Sequence, residues 1–367
     1  MNAPSHIVET EPQCLTLRDA IATPFQIVAP ADAEGLLPRP PSKLYTRGCL
    51  YDSDGARVDL SVRVGGAGGD QAASSDPTFL PPDQRGGAWL PGRTLYLGTF
   101  MNRYGQFITE SLSRYWHEGA AGFDHLVAYP FVHHAGAVQI QEFHRYLARL
   151  LDVPIDRMTI LARQTVFDEI VVPEQLWVHS VQVNDRMRAV YGRIRARHAG
   201  GRSTGRIFLS RAPGPTSRPA NTLDVEEVFA GFGFEVLYPE QVDIARQLSL
   251  YANCEVLAGF SGSAMHNCLF ARPGLMTIEV GDARAQRHPA TMQTIANELA
   301  QVDARFIPFG EAENERINVA KVRRRLRDIL GEQPRSGPVL GLRFKRSANR
   351  LLSRFTKRGQ PPKRRSA

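Results

Sequence analysis

GRIFLSRAPGPTSRPANTLDVEEVFAGFGFEVLYPEQVDIARQLSLYANCEVLAGFSGSAMHNCLFARPGLMTIEVG, residues 205–281, decides the fold. Its apolar runs IFLS, FEVLYP, EVLAGF and LMTIEV are separated by helical-looking segments. That alternation marks parallel strands joined by crossover helices. Arg211 and Arg218 follow the first strand, and Ser261-Gly262-Ser263 follow the third. Ligands of an open α/β sheet bind beyond the carboxyl ends of its strands, so these residues are expected to line a pocket. Two arginines facing a Gly/Ser turn that leads into a helix suit a phosphate or diphosphate. Glu279 ends the strand MTIEV, where a carboxylate can accept from ribose or sugar hydroxyls; pairing with a nearby arginine is the alternative.

Working outward, the 367 residues are enough for two domains with their own cores. A content of 43% hydrophobic and 22% charged residues fits a soluble globular protein. No apolar run approaches the roughly 18 residues of a membrane span. The start, MNAPSHIVETEPQC, lacks the basic and apolar regions of a signal peptide. Cys14, Cys49, Cys254 and Cys268 show no CxxC spacing, so a cytoplasmic location is expected.

The net charge of +8 sits at one end. Residues 335–367 carry eleven Lys or Arg and no acid, which leaves 34 basic against 37 acidic side chains in residues 1–334. Leu340, Phe344, Ala348, Leu351, Leu352 and Phe355 recur there at helical spacing among Arg343, Lys345, Arg346, Arg350 and Arg354. Such a tail fits either an amphipathic helix on an anionic membrane surface or a disordered basic extension. Nucleic acid is not an expected partner, because the body has no basic stripe with interleaved aromatics.

Upstream, residues 15–64 read as short strands and turns, and residues 65–87 as a Gly/Pro/Ser-rich surface loop without the GK[ST] ending of a phosphate loop. LYLGTF (95–100), HLVAYPFV (125–132) and EIVVP (169–173) read as strands, and residues 137–151 and 184–198 as helices. Near-helical spacing of Phe107, Leu112, Tyr115 and Trp116 predicts a helix that Gly119 ends. Residues 315–330 read as a closing helix. The expected organisation is α/β: one lobe over 1–200, a second, phosphate-binding lobe over 201–330 and a basic tail over 331–367, with a cleft between the lobes.

Asn102, Tyr104, Gln106, Glu110 and Arg114 form a dense polar group at a helix start. The spacing of Gln106, Glu110 and Arg114 puts them on one helix face. Glu110 is then placed to deprotonate an incoming hydroxyl, the alternative being an exposed Glu–Arg helix pair. Asp52-Ser53-Asp54-Gly55 contains a DxD, but the Asp-Gly pair reads as a hairpin turn rather than a metal site. His133, His134 and His144 lack further ligands at suitable spacing and read as loop and helix-surface histidines. Gly259-Phe260-Ser261-Gly262-Ser263 departs from a nucleophile elbow, which needs Gly where Ser263 stands.

Taken together, FMNRYGQFITESLSRYW, IFLSRAPGPTSRPAN, GFEVLYPE, Gln247 and GFSGSAMHNCLFARPG followed by IEV resemble glycosyltransferase family 61 over roughly residues 95–310. The family includes many bacterial capsular polysaccharide biosynthesis proteins. The resemblance implies an inverting, metal-independent transferase with two facing Rossmann-like lobes (GT-B). It also implies a nucleotide-sugar donor, commonly UDP-linked, a glycan or lipid-linked acceptor, and no separate cofactor. The family's pattern falls on Tyr104, Gly105, Gln106 and Phe107, with Gln106 where His is usual. A second segment falls on Arg218 and Asn221, with Thr222 where Glu is common. A third falls on Gly259, Ser261 and Gly262, where a bacterial branch with Gly-x-Ser-Gly-Ser and a downstream His-Asn matches His266 and Asn267. These departures leave Glu110 as candidate base, Gln106 as its neighbour and His266 next. Asn102, Tyr104 and Arg114 fall on the acceptor side. Arg211, Arg218, Asn221, Ser261, Gly262, Ser263, Asn267 and Glu279 fall on the donor side. A catalytically degenerate sugar-binding or scaffold subunit is the alternative reading.

Overall fold

The computed structural model describes residues 5–28, 45–64, 76–131, 138–211, 221–282, 285–309 and 316–334. Residues 335–367 of the basic tail, His133 and His134, Arg218 and residues 65–75 of the glycine-rich loop lie outside them.

The first half of the chain supplies β1 (Ile7–Val8), β2 (Cys14–Ala22), β3 (Gln26–Val28), β4 (Tyr45–Arg47), β5 (Leu50–Tyr51) and β6 (Ala88–Met101). After them come β7 (His125–Phe131), β8 (Met158–Ile160), β9 (Thr165–Pro173), β10 (Trp177–Val178) and β11 (Gln182–Asn184). Six form a mixed sheet in the order β5-β2-β9-β6-β7-β8. Strands β6, β7, β8 and β9 pair in parallel, whereas β2 runs antiparallel to both β5 and β9. The Asp52–Gly55 segment makes the expected tight turn. Gly55 N–H donates to the Asp52 carbonyl (3.0 Å), Ala56 N–H donates to the Asp52 carboxylate (2.8 Å), and Gly55 has φ +85°.

The second half supplies β12 (Arg206–Leu209), β13 (Phe234–Leu237), β14 (Val256–Phe260), β15 (Met276–Val280) and β16 (Asp303–Ile307), all parallel, in the order β13-β12-β14-β15-β16. The four runs of residues 205–281 are the first four of these strands. Alternation along them explains the layering, because successive side chains leave opposite faces. Ile207, Leu209 and Leu257 belong to one core, while Phe208, Val256 and Ala258 belong to another. Helices α4 (Thr222–Gly231) and α7 (Val319–Leu330) cover the Phe208 face through Val225, Phe229, Val322 and Leu326. Helices α5 (Ile244–Asn253) and α6 (Thr291–Ala300), with the 3-10 turn Met265–Phe270, cover the other through Leu248, Tyr251, Phe270, Ile295 and Leu299. A sheet covered on both faces explains near-continuous apolar strands. Full burial of one such side chain stabilises by about 1.5–3 kcal/mol.

The core on the Leu257 side continues into the mixed sheet, reaching Leu95, Leu97, Phe100 and Phe107, and it takes in α2 (Glu142–Leu150) and α3 (Met187–Ala196) through Leu147, Ala148, Val190 and Tyr191. Two expectations are corrected. His144 is not a surface residue: it is fully buried against Phe100, Phe107 and Phe143. Its Nδ1 accepts from the Gln141 N–H (2.8 Å), closing the first turn of α2, and burial pushes its pKa down to about 4. The helix after β6 is also not one α-helix to Gly119. Here α1 (Tyr104–Gln106) runs into a π turn (Phe107–Ser111) and a 3-10 turn (Leu112–Arg114). Glu110 and Arg114 therefore do not pair.

Candidate active site

The order β13-β12-β14 reverses direction between β12 and β14, the crevice where open α/β sheets take ligands. Gly259 in β14 lets the strands close up at that point: a Cβ there would lie 2.8 Å from the Leu209 carbonyl oxygen and 3.0 Å from Met265 Sδ. Beyond the strand ends lies a cleft of about 660 Å³, lined by Tyr104, Phe143, Arg211, Gln247, Ser263 and Asn267 among others. The N-terminal ends of α2 (Gln141, Glu142) and α5 (Asp243, Ile244) open onto it as well. Arg211 is exposed and makes no ion pair among the described residues. The Arg211 guanidinium is the group there that suits an anion, whereas Glu142, Glu240 and Asp243 bring negative charge to the same lining and Asp243 already caps α5 by accepting from the Arg246 N–H (2.8 Å).

The turn after β14 is built for close approach. Gly262 has φ +137°, Ser261 N–H donates to the Val280 carbonyl (2.9 Å), and Met265 N–H donates to the Gly262 carbonyl (2.9 Å). Ser261 Oγ donates to Glu279 Oε1 at 2.6 Å, while Glu279 Oε2 is buried with no hydrogen-bond partner among the described residues. Burial pushes the Glu279 carboxyl up to about 7; the Ser261 hydroxyl opposes the shift and Asp282 adds to it. Tyr104 reaches across from α1 and donates to Asn267 Oδ1 at 2.5 Å. Gly105 follows it so closely that a Cβ would lie 2.6 Å from Ser263 Oγ and 3.6 Å from His266 Cδ2. The structure thus brings Tyr104, Arg211, Ser263 and Asn267 into one cleft, with Ser261, Gly262, His266 and Glu279 alongside.

His266 has an assigned tautomer. Its Nδ1 lies 2.8 Å from Gln293 Oε1, and Gln293 Nε2 donates to Asn297 Oδ1 (2.8 Å) and the Met265 carbonyl (3.2 Å). The amide oxygen only accepts, so the proton is on Nδ1 and Nε2 is bare. Burial holds the His266 pKa down at about 4; the Gln293 bond works against the shift and nearby His179 reinforces it.

Other candidate residues have different company. Glu110 is buried and its Oε2 accepts from Arg63 Nε (2.9 Å) and Nη2 (2.6 Å). Its Oε1 stands 3.2 Å from His179 Nδ1, off the line of a straight hydrogen bond. Burial alone would raise the Glu110 pKa, but Arg63 and His179 bring it below the usual carboxylate range. Arg114 runs through the interior over the Tyr96 ring, donating to the carbonyls of Pro173 and Val62. Gly98 (φ +75°) makes room for it, since a Cβ there would collide with Arg114 Cδ. Asn221 gives both ends of its amide to the backbone of Ile317, at 2.9 Å each, and does not line the cleft. Gln106 and Asn102 are half-buried, and Asn102 Oδ1 has no partner among the described residues. Arg63, His179 and Gln293 carry no signal in the sequence, because no motif or periodicity ties them to their partners. Among the described residues no group of three His, Cys, Asp or Glu is arranged to hold a metal ion, and no helix is long and apolar enough to cross a membrane.

The family model for Glycosyltransferase 61 matches residues 104–278, from Tyr104 on the cleft wall to Ile278 beside Glu279. No curated protein matches the chain.

Proposed function

The chain belongs to glycosyltransferase family 61 through residues 104–278 and is a glycosyltransferase; on that premise we propose that it is an inverting, metal-independent enzyme moving a sugar from a nucleotide-sugar, UDP-linked in our reading, to a surface-polysaccharide or other glycan acceptor. The observation that carries this reading is the meeting of Arg211 with the Ser261–Asn267 turn in one cleft at the reversal point of the parallel sheet. The donor diphosphate lies between the Arg211 guanidinium and the N–H groups of Gly262 and Ser263, the Ser261 N–H being taken by the Val280 carbonyl, with Arg218, outside the described residues, as a second cation. Those groups supply the charge that other transferases draw from a metal ion. The unpartnered Glu279 Oε2 is suited to accept a donor hydroxyl. Tyr104 and Asn267 bound the space where donor and acceptor meet. The acceptor hydroxyl gives its proton to the group formed by Glu110, His179 and His266. In this reading residues 1–200 and 201–330 act as the two lobes of a GT-B enzyme, and the basic tail from 331 rests on the anionic inner face of the plasma membrane beside a lipid-linked acceptor.

Titrating UDP into the wild type and Arg211→Ala by calorimetry tests the donor site. Loss of one charge-assisted contact costs at least about 1.5 kcal/mol, roughly tenfold in Kd. Equal affinities would remove the diphosphate from this cleft.

A further inference from the structure

We infer that His179, set 3.2 Å from the Glu110 carboxylate, is the general base that takes the acceptor proton; the assignment rests on the transferase reading above and names the atom within it.

Three groups of the site can take a proton: Glu110, His266 and His179. Glu110 Oε2 is held by two donors of Arg63, and Arg63 also lies over the Phe131 ring at 4.8 Å. A carboxylate kept ionised by a guanidinium is a poor proton acceptor and a good electrostatic support for a neighbour. His266 has a bare Nε2, but its Nδ1–H is bonded to a neutral amide. Nothing there balances the charge His266 would acquire, and its burial disfavours the imidazolium. His179 differs in both respects. Its Nδ1 faces the free oxygen of Glu110, and its side chain keeps 20% of its surface exposed. No hydrogen bond to its Nε2 occurs among the described residues.

His179 directly follows β10, at the turn toward β11. Ser180, the next residue, takes φ +58°, an uncommon conformation for a non-glycine residue, and its N–H points at Met292 Sδ (3.0 Å) on α6. Met292 precedes Gln293, the partner of His266, so both histidines are referenced to the start of one helix. Glu110 sits in the π turn after α1, whose Gly105 touches Ser263 and His266. Such wide turns recur at functional sites. His179 therefore stands near His266, beside the close approach of Gly105 to Ser263 at the edge of the cleft.

The step balances. The acceptor oxygen attacks the anomeric carbon while its proton passes to His179 Nε2, and the carbon–oxygen bond to the diphosphate breaks with its electron pair. UDP leaves, and the new glycosidic bond has inverted configuration. Glu110 is a positioning residue: it orients the imidazole and supports the imidazolium as the proton arrives.

The test uses the full-length protein, release of UDP from a panel of UDP-sugars, and UDP affinity by calorimetry. His179→Ala is expected to lower kcat by about 10²- to 10⁴-fold with UDP Kd unchanged within twofold, and added imidazole to restore part of the turnover. Glu110→Gln should lower kcat with little change in KM, and Glu110→Asp should recover most of it. His179→Gln serves the same reading if the alanine variant does not fold. Retention of kcat within threefold by a folded His179 variant overturns the assignment, as does a loss confined to His266→Ala. If the wild type releases UDP from no donor, the transferase reading itself falls, and this assignment with it.

Discussion

The two large sheets gather their buried polar groups over very different distances along the chain. Around the parallel sheet, Ser210 meets Glu226 across 16 residues and Ser261 meets Glu279 across 18. Around the mixed sheet, Arg63 meets Glu110 across 47 residues, and Leu17 of β2 pairs with Ile170 of β9. A βα repeat closes each contact within one crossover, so a donor site can be written locally. The mixed side must bring distant segments together before its charges neutralise one another. In the reading proposed above, the donor half of the site is thus carried by near-contiguous sequence, and the proton-handling half depends on long-range folding.

Removing Arg63 is the harshest way to probe that contrast. Arg63→Met leaves the buried Glu110 with His179 as its one ionisable partner among the described residues, and loss of one member of a buried pair costs about 3–5 kcal/mol. Urea unfolding of the variant measures it. A loss below about 1 kcal/mol would mean that the mixed side does not rely on its distant charge pair.

The next effect belongs to the parallel side. The folded Glu279 carboxyl titrates near 7, against an ordinary value of 4.5. Between those values the unfolded carboxyl is ionised while the folded one keeps its proton, so folding takes up a proton and stability falls as pH rises through that window. Glu279→Gln should remove about 3 kcal/mol of that fall, read as the difference between the two proteins' stability curves from pH 4.5 to 8. His144 and His266, held near 4, act oppositely, since they make stability fall as pH drops from 6.5 toward 4. They are common to both proteins, so parallel curves would show that Glu279 is ionised in the fold.

The smallest effect sharpens the local end of the comparison. Gly259→Ala puts a methyl group 2.8 Å from the Leu209 carbonyl oxygen and should cost about 1–3 kcal/mol in stability. It also wedges β12 from β14, so UDP binding should weaken with it. Full stability with full UDP affinity would show that the strand ends have slack.

Legibility in the sequence follows the same division. The first four parallel strands stand out because both faces are covered and most positions are apolar or small. The fifth, Asp303–Ile307, does not: it is an edge strand in which only Ile307 is fully buried. Arg211, Ser263 and Asn267 could be placed from their positions after strands, and the cleft contains them. Glu110 was visible as a carboxylate near a strand end, but its partners were not, because Arg63 and His179 lie in other elements and share no period with it. The spacing of Phe107, Leu112, Tyr115 and Trp116 suggests an α-helix because apolar positions record which residues are buried, not which carbonyl each N–H meets. Arg114 misled for a related reason. A charged residue at helical spacing reads as a surface partner, whereas here Gly98 clears a path for it under the sheet.

The wide turn at Phe107–Ser111 also gives the site a dependence on length. Each helical residue advances the chain by about 100°. Removing any one residue of this turn would swing everything after it by that amount, carrying Ser113 and Arg114 away from their carbonyl partners or Glu110 away from Arg63. Substitutions here test side chains one at a time, whereas a single-codon deletion tests the phase of the whole segment. A relative of equal length in this segment can share the geometry with different letters, and one a residue shorter must build its site by another route.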